Sequence, residues 1–147
     1  LKFIKKIIDG STIEVYNSGN HKRDLTYIDD CVECLESALS LKRSPTTTNE
    51  ILQPDTSSAP WSIYNISSGR SIELRYLIEL IEENIGKKAN LQDVPFQKGD
   101  VKETFGDIEK TKDDLSYTPK VEIEQGIKET VQWDLDAAKQ YGDFLWT

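Results

Sequence analysis

The sequence is poor in the residues that build metal sites and redox centres. Its 147 residues include two cysteines, one histidine and no methionine. Both cysteines lie in a single C-x-x-C pair, Cys31 and Cys34, inside a helical pattern. Such a pair can be a redox site or half of a zinc site, but a second pair is absent and His21 lies ten residues upstream. We favour the alternative, two small residues packed on one helix face, which fits a cytoplasmic protein.

Long apolar runs and an excess of basic residues are also absent. No run approaches the roughly 18 apolar residues of a transmembrane helix, and residues 1–10 interleave lysines with apolar residues without a signal-peptide cleavage site. The formal net charge is −8, which argues against a nucleic-acid partner. The sequence therefore predicts neither a membrane nor a nucleic-acid partner, although a local arginine can still hold a small anion. Because the chain begins with leucine and lacks methionine, we expect it to be part of a longer polypeptide.

What is present is an alternation of helical and strand patterns typical of an α/β protein, or of α+β for the isolated piece. Apolar stripes predict that α-helices bury Leu74, Leu77, Ile78, Ile81 and Ile85 in one segment, Ile123, Ile127, Val131 and Leu135 in another, and Val32, Leu35, Leu39 and one cysteine in a third. Residues 43–60, rich in Ser, Thr and Pro, are expected to form a flexible loop. The predicted helices span 1–9, 30–42, 72–85, 107–117 and 121–141, and the predicted strands 12–17, 25–28, 61–67 and 89–96.

The segment 21–30, HKRDLTYIDD, places a fixed positive charge beside an apolar run. Leu25 to Ile28 have the β-branched and aromatic character of a strand, and Asp29 and Asp30 suit the first turn of a helix through the macrodipole. A guanidinium at the mouth of a strand is a rigid, permanently charged donor that binds phosphate oxygens two at a time. Arg23 is therefore a candidate anion ligand, and the alternative is a surface pair with Asp24 or Asp29.

Four motifs occur in order along the chain: residues 2–35 (KFIKKIIDGSTIEVYNSGNHKRDLTYIDDCVECL), YNISSG, QKGDV and GIKETVQW. Together they resemble the substrate-side half of the NAD-dependent nucleotide-sugar epimerases and dehydratases, the extended short-chain dehydrogenase group. Within that group the closest resemblance is to the UDP-glucuronate 4-epimerases, which carry R-D-F-T-Y-I-D-D and Q-P-G-D-V. The resemblance covers nearly the whole chain.

The resemblance implies that residues 1–147 form a C-terminal nucleotide-sugar-binding portion, with the segment 61–67 joining a Rossmann sheet as a strand. The family's G-x-x-G-x-x-G loop and Y-x-x-x-K pair are not found in these residues. NAD would therefore bind in a separate N-terminal Rossmann domain, and this portion alone is expected to be inactive. The parent is expected to be a homodimer that anchors UDP while a 4-keto sugar forms, turns and is re-reduced.

The resemblance also implies roles for individual residues. Arg23 would bind the pyrophosphate. Backbone groups of Glu14, Val15 and Tyr16 would meet the uracil edge, and Gln97 and Asp100 would reach the ribose hydroxyls and a phosphate. The alternatives are a plain strand at 14–16 and an ordinary turn at 97–100, where Asp and Gly are favoured anyway.

Some positions depart from the family pattern and leave the activity open. Leu25 stands where the closest relatives have Phe, Ser67 and Ser68 replace a glycine-containing ending, and Lys98 replaces Pro. These departures remove no ligand-binding group but weaken the choice of glucuronate. The alternatives are a nucleotide-sugar 4,6-dehydratase, a UDP-glucose 4-epimerase, or a non-catalytic binding or interaction module.

Overall fold

Two small sheets and five helices make up the part of the chain that the structure describes. This computed structural model describes residues 1–42 and 61–142, so the flexible loop predicted at 43–60 lies outside the described residues. Helices alternate with short strands, which confirms the α/β class. In chain order the elements are α1 (Lys2–Asp9), β1 (Thr12–Tyr16), a 3-10 turn (Asn17–Gly19), β2 (Lys22–Asp24), α2 (Ile28–Ser40), β3 (Ser71–Glu73), α3 (Leu74–Ile85), β4 (Asn90–Val94), α4 (Glu109–Leu115) and α5 (Ile123–Tyr141).

The larger core lies where α1, α3 and α5 pack on β1. The predicted apolar stripes of α3 and α5 supply much of it, because residues spaced three and four apart share one helix face. Both α1 and α3 are followed by a glycine in the left-handed conformation, Gly10 and Gly86, where the predicted helices 1–9 and 72–85 end. The buried residues of this core are Ile4, Ile7, Ile13, Val15, Ile78, Ile81 and Val131.

A smaller core joins α2 to α4. Cys34 is fully buried there with Ile108, Leu115 and Tyr117. This is the packing role that we favoured for both cysteines, although Cys31 is only partly buried. Burial raises the pKa of the Cys34 thiol, and this disfavours the thiolate that redox chemistry and metal binding require. Burial also raises the pKa of Tyr117 to about 12.

The region around α2 differs from the sequence prediction. The predicted strand at 25–28 is wrong, because the strand lies earlier, at Lys22–Asp24, and the helix begins at Ile28. The predicted burial of Val32, Leu35 and Leu39 is also wrong, since all three are exposed. The periodicity correctly identified an apolar face of α2, but periodicity alone does not show whether another element covers that face.

The opposite face of α2 is held by polar groups. Asp30, only 3% exposed, accepts hydrogen bonds from the backbone N–H groups of Lys120 and Val121 at 2.9 and 3.2 Å. Tyr27 donates to Glu129 at 2.7 Å, a bond that, with burial, raises the pKa of Tyr27 to about 12. A Cβ at Gly126 would meet the Tyr27 ring at 3.1 Å. The start of α2 therefore packs closely against α5.

Three further boundaries differ from the prediction. Residues 61–67 belong to neither sheet, so their pairing with another sheet stays a prediction. The helix predicted at 72–85, with Ser71 expected as its N-cap, begins at Leu74 instead, because Ser71–Glu73 form β3. The helix predicted at 107–117 is shorter and spans Glu109–Leu115. Asp107 lies just before it and accepts a hydrogen bond from the Glu109 N–H at 3.1 Å.

Candidate functional site

Strand β2 is held along both edges, and this fixes the backbone of Arg23. On one side β2 pairs with β3 in antiparallel fashion. On the other side the Lys22 N–H donates to the Lys102 carbonyl at 2.8 Å and the Thr104 N–H donates to the Lys22 carbonyl at 3.1 Å. A central strand is the most rigid position in such a small sheet, so a side chain that it carries has a well-defined origin.

The Arg23 guanidinium pairs with Asp100, which lies 77 residues further along the chain. Nη2 lies 3.1 Å from Asp100 Oδ1, and Nη1 donates to the Lys22 carbonyl at 2.8 Å. Both charged side chains remain about 30% exposed. The partner is thus neither Asp24 nor Asp29, the two that sequence reasoning considered. Protein groups thus orient the guanidinium, and part of it stays exposed to solvent.

The turn at 97–100 brings Gln97 and Asp100 together. The Asp100 N–H donates to the Gln97 carbonyl at 3.1 Å, and the Val101 N–H donates to Asp100 Oδ1 at 2.8 Å. The Gln97 side chain is exposed. The structure therefore brings Asp100 into contact with Arg23 and places Gln97 in the same turn as Asp100.

The predicted uracil-contacting residues Glu14, Val15 and Tyr16 lie in β1. This strand pairs in parallel with β4, with Tyr16 opposite Val94. The carboxyl end of β1 therefore adjoins the end of β4, three residues before Gln97. Val15 is buried in the larger core. Among the described residues, no side-chain hydrogen bond or ion pair joins these three residues to Arg23 or Asp100.

His21 is a member of the cluster that sequence reasoning missed. Its Nε2 lies 3.2 Å from Asp100 Oδ2 and its side chain is 3% exposed. The imidazole stacks on Phe96 with ring centroids 5.7 Å apart. Once β2 is placed at Lys22–Asp24, His21 and Arg23 stand two residues apart in extended chain, where side chains share one face. Because the sequence pattern placed the strand at 25–28, it did not predict that His21 and Arg23 share a face.

Asp24, next to Arg23, has a structural role. Its Oδ1 accepts hydrogen bonds from the Ser68 N–H and Oγ at 2.9 and 2.6 Å. Its Oδ2 accepts from the N–H groups of Gly69 and Gly106, both at 3.1 Å. Burial opposes ionisation, but the hydrogen bonds from Ser68 and Gly106 outweigh it and hold the pKa of Asp24 below its ordinary value. The neighbouring residues Arg23 and Asp24 thus have different roles. Arg23 is partly exposed, whereas Asp24 binds the backbone of the segment 68–69.

A cleft of about 210 Å³ opens beside the cluster. His21 contributes to it, while Arg23 and Asp100 stand outside its lining. In residues 1–42 and 61–142, no three His, Cys, Asp or Glu side chains are grouped so that they could hold a metal ion. None of the helices in those ranges is long and apolar enough to cross a membrane. The lining residues of the cleft are Asn20, His21, Lys22, Glu73, Lys102 and Glu103.

Comparison with known proteins gives the family of the chain. Residues 1–130 match the family described as GDP-mannose 4,6 dehydratase. Over 133 residues the chain is 35% identical to a UDP-glucuronate 4-epimerase of Thermodesulfobacterium geofontis, covering 90% of this chain and 36% of the relative. Over 141 residues it is 35% identical to Protein CapI of Staphylococcus aureus, covering 95% of this chain and 42% of the relative. The chain thus spans about 40% of the length of these curated relatives.

A solved structure shows the same arrangement. The UDP-glucose 4-epimerase of Thermotoga maritima, solved with UDP-glucose, superposes with a TM-score of 0.72 at 27% identity, over 92% of this chain and 38% of that one. Fold, motif order and sequence similarity therefore agree. The chain belongs to the GDP-mannose 4,6-dehydratase family of nucleotide-sugar enzymes, within the extended short-chain dehydrogenase group of NAD-dependent epimerases and dehydratases.

Proposed function

We propose that this chain is the nucleotide-sugar-binding portion of a UDP-glucuronate 4-epimerase. The observation that carries the proposal is the Arg23–Asp100 pair, formed at 3.1 Å between two family motifs 77 residues apart. A guanidinium suits a diphosphate because its planar fork donates two parallel hydrogen bonds to phosphate oxygens. Similarity to UDP-glucuronate 4-epimerases of about one-third identity supports the choice of nucleotide sugar.

Each predicted residue has a role in this proposal. Arg23 binds the pyrophosphate, Gln97 and Asp100 bind the ribose hydroxyls, and the backbone of Glu14, Val15 and Tyr16 meets the uracil edge. Carboxylate and amide oxygens accept hydrogen bonds from paired hydroxyls, and backbone groups in a strand give a rigid edge for a base. A 4-epimerase must present both faces of a keto sugar for reduction, so it needs an anchor that holds the nucleotide while the sugar turns.

The residues of this chain carry neither of the two motifs that the resemblance assigns to cofactor binding and proton transfer. They contain no Gly-rich phosphate loop and no Y-x-x-x-K pair, which the resemblance gives as the parts that hold NAD and move the hydroxyl proton. In this proposal NAD therefore binds to another part of the polypeptide. The share of the reaction that falls to this chain is to bind and orient the UDP moiety.

The test is UDP affinity in the complete natural polypeptide with and without the Arg23 side chain. We expect Arg23→Ala to weaken UDP binding by about ten- to a hundredfold, because a charge-assisted bidentate contact is worth about 1.5–3 kcal/mol. Arg23→Lys should recover only part of the loss, since an ammonium cannot reproduce the fork. UDP should lose as much affinity as the UDP-sugar, because the contact is with phosphate.

A matched control is Arg70→Ala, which removes a half-exposed arginine paired with Glu122 and should leave UDP affinity unchanged. If folded Arg23→Ala binds UDP as well as wild type does, Arg23 is only a surface charge and the site assignment is wrong.

A second candidate activity is 4,6-dehydration, favoured by the description of the matching family. The two reactions differ in what they need at C6, because a 4,6-dehydratase expels a C6 hydroxyl that a uronic acid lacks. Incubation of the complete polypeptide with UDP-glucuronate should give the 4-epimer. Dehydration of UDP-glucose, with no conversion of UDP-glucuronate, would support the dehydratase instead.

A further inference from the structure

The side chain of His21 is deeply buried yet incompletely bonded. Its Nε2 is within ion-pair distance of Asp100 Oδ2, at 3.2 Å, but the geometry of a hydrogen bond is not met. A buried polar atom without a hydrogen bond is destabilising, so such an atom in a native structure calls for an explanation beyond packing. The stacking on Phe96 and the hydrogen bond from the Leu74 N–H to the His21 carbonyl at 2.9 Å hold the imidazole in place.

Asp100 is contacted at both carboxylate oxygens. Oδ1 accepts from Arg23 Nη2 at 3.1 Å and from the Val101 N–H at 2.8 Å, whereas Oδ2 faces His21 alone among the described residues. Without a ligand, therefore, the strongest partner of Asp100 is the same guanidinium that the proposed function assigns to phosphate. A diphosphate that engages the fork of Arg23 competes directly with Asp100.

We propose that His21 is a positioning residue of the diphosphate site, which holds Asp100 in place when Arg23 turns to the phosphate. This inference rests on the proposed function. As Arg23 leaves, Asp100 loses one donor, and the nearest replacement is the Nε2 that still lacks a hydrogen bond. Contacts that are loose in a ligand-free site commonly tighten when the ligand binds. The carboxylate then stays fixed for the ribose hydroxyls, while the charge of Arg23 is released to the phosphate.

The test measures UDP affinity of the complete polypeptide in a double-mutant cycle of His21→Phe and Asp100→Asn. Phe keeps a ring against Phe96 but has no nitrogen. We expect His21→Phe to weaken UDP binding by about three- to tenfold, the size of one net hydrogen bond. In the Asp100→Asn background the same substitution should change the affinity less than twofold, because His21 acts through Asp100. A loss of equal size in both backgrounds, or no loss at all, overturns the inference.

Two amide variants keep the test decisive if His21→Phe does not fold. Gln places an N–H donor about where Nε2 lies, whereas Asn is one carbon shorter and reaches only the Nδ1 position. His21→Gln should bind UDP at least about threefold more tightly than His21→Asn, since a net hydrogen bond separates them. Equal affinities mean that His21 is only a packing residue.

The Arg23→Ala variant distinguishes a failure of the proposed function from a failure of the role proposed for His21. If Arg23→Ala weakens UDP binding and His21→Phe does not, only the role of His21 is wrong. If Arg23→Ala leaves UDP binding unchanged, the proposed function and this inference both fail.

Discussion

At the scale of single residues, the neighbours Arg23 and Asp24 in β2 differ in their proposed roles, which are binding for Arg23 and folding for Asp24. Arg23 is partly exposed and paired with a distant carboxylate. Asp24 instead accepts four hydrogen bonds from the segments 68–69 and 106. Its neighbour Gly106 has no room for a side chain, because a Cβ there would meet Ser67 Oγ at 2.0 Å. The carboxylate thus joins two loops, the one at 68–69 and the one at 106, to β2.

Replacing Asp24 tests this role. We expect Asp24→Asn to lower the free energy of unfolding by about 1.5–3 kcal/mol at pH 7, because an amide nitrogen would face donors that the carboxylate now satisfies. Urea denaturation measures the loss. Asp113→Asn, at an exposed carboxylate, is the control and should change little.

The stability difference between wild type and Asp24→Asn should also depend on pH, in a direction that the pKa of Asp24 defines. The pKa of Asp24 is lowered in the folded state, so its stabilising contribution is complete above the unfolded value of about 3.9. That contribution is lost as the pH falls through the folded pKa. The difference between wild type and Asp24→Asn should therefore be constant near neutrality and shrink below about pH 4. A difference of the same size at pH 3 and pH 7 would mean that ionised Asp24 is not responsible.

At the scale of elements, α2 has an exposed apolar stripe. Four apolar side chains at positions i, i+4, i+7 and i+11 form one outward stripe: Ile28, Val32, Leu35 and Leu39, with exposures of 61, 44, 52 and 88%. Ile63, from the segment predicted to join another sheet, is 56% exposed as well. Contiguous apolar surface of this kind commonly marks an interface.

Polar substitutions in this stripe have a definite expected result. The 147-residue chain should bind a hydrophobic dye and self-associate as its concentration rises. Leu35→Gln with Leu39→Gln should reduce both effects while changing the unfolding free energy by less than about 0.5 kcal/mol per site, because both positions are exposed and Gln suits a helix. Sedimentation velocity and dye fluorescence measure the outcome, and Glu36→Gln, at an exposed site on the same helix, is the control. A wild-type monomer that binds no dye at high concentration would contradict this prediction.

At the scale of the whole molecule, the chain combines a nucleotide-sugar family signature with only part of the family's length. Its matches to the first relatives cover between 36% and 42% of their length. Residues 1–130, which match the family model, include the candidate diphosphate and ribose ligands. The family's dinucleotide loop and catalytic Tyr-Lys pair are not among its motifs. Substrate anchoring and cofactor binding are therefore expected to be separable.

Calorimetry on the 147-residue chain tests that separation. We expect no detectable NAD binding, because the backbone N–H groups of a Gly-rich loop at a helix N-terminus, which hold the dinucleotide pyrophosphate, are lacking in this sequence. UDP titrated into the same sample serves as the comparison ligand. Micromolar affinity for NAD would show that the chain holds the cofactor itself.

The sequence by itself determined the elements whose signals are local. The stripes of α3 and α5 predicted the residues that face the larger core, with the exception of Ile123, which lies outside it. Gly10 and Gly86 predicted where α1 and α3 end, because left-handed backbone favours glycine. The alternation in TIEVY located β1. Motif order was sufficient to identify the family, since it depends on residue types along the chain and not on contacts.

The tertiary structure alone decided what lies against each surface. Sequence periodicity cannot distinguish a covered apolar face from an open one, so it predicted that Val32 and Leu35 are buried, and both are exposed. It did not predict the burial of Asp30, whose carboxylate accepts hydrogen bonds from two distant backbone N–H groups. Nor could it pair Arg23 with Asp100 or bring His21 beside them. Those contacts span about 80 residues and exist only because β2 is held between β3 and the segment 102–104.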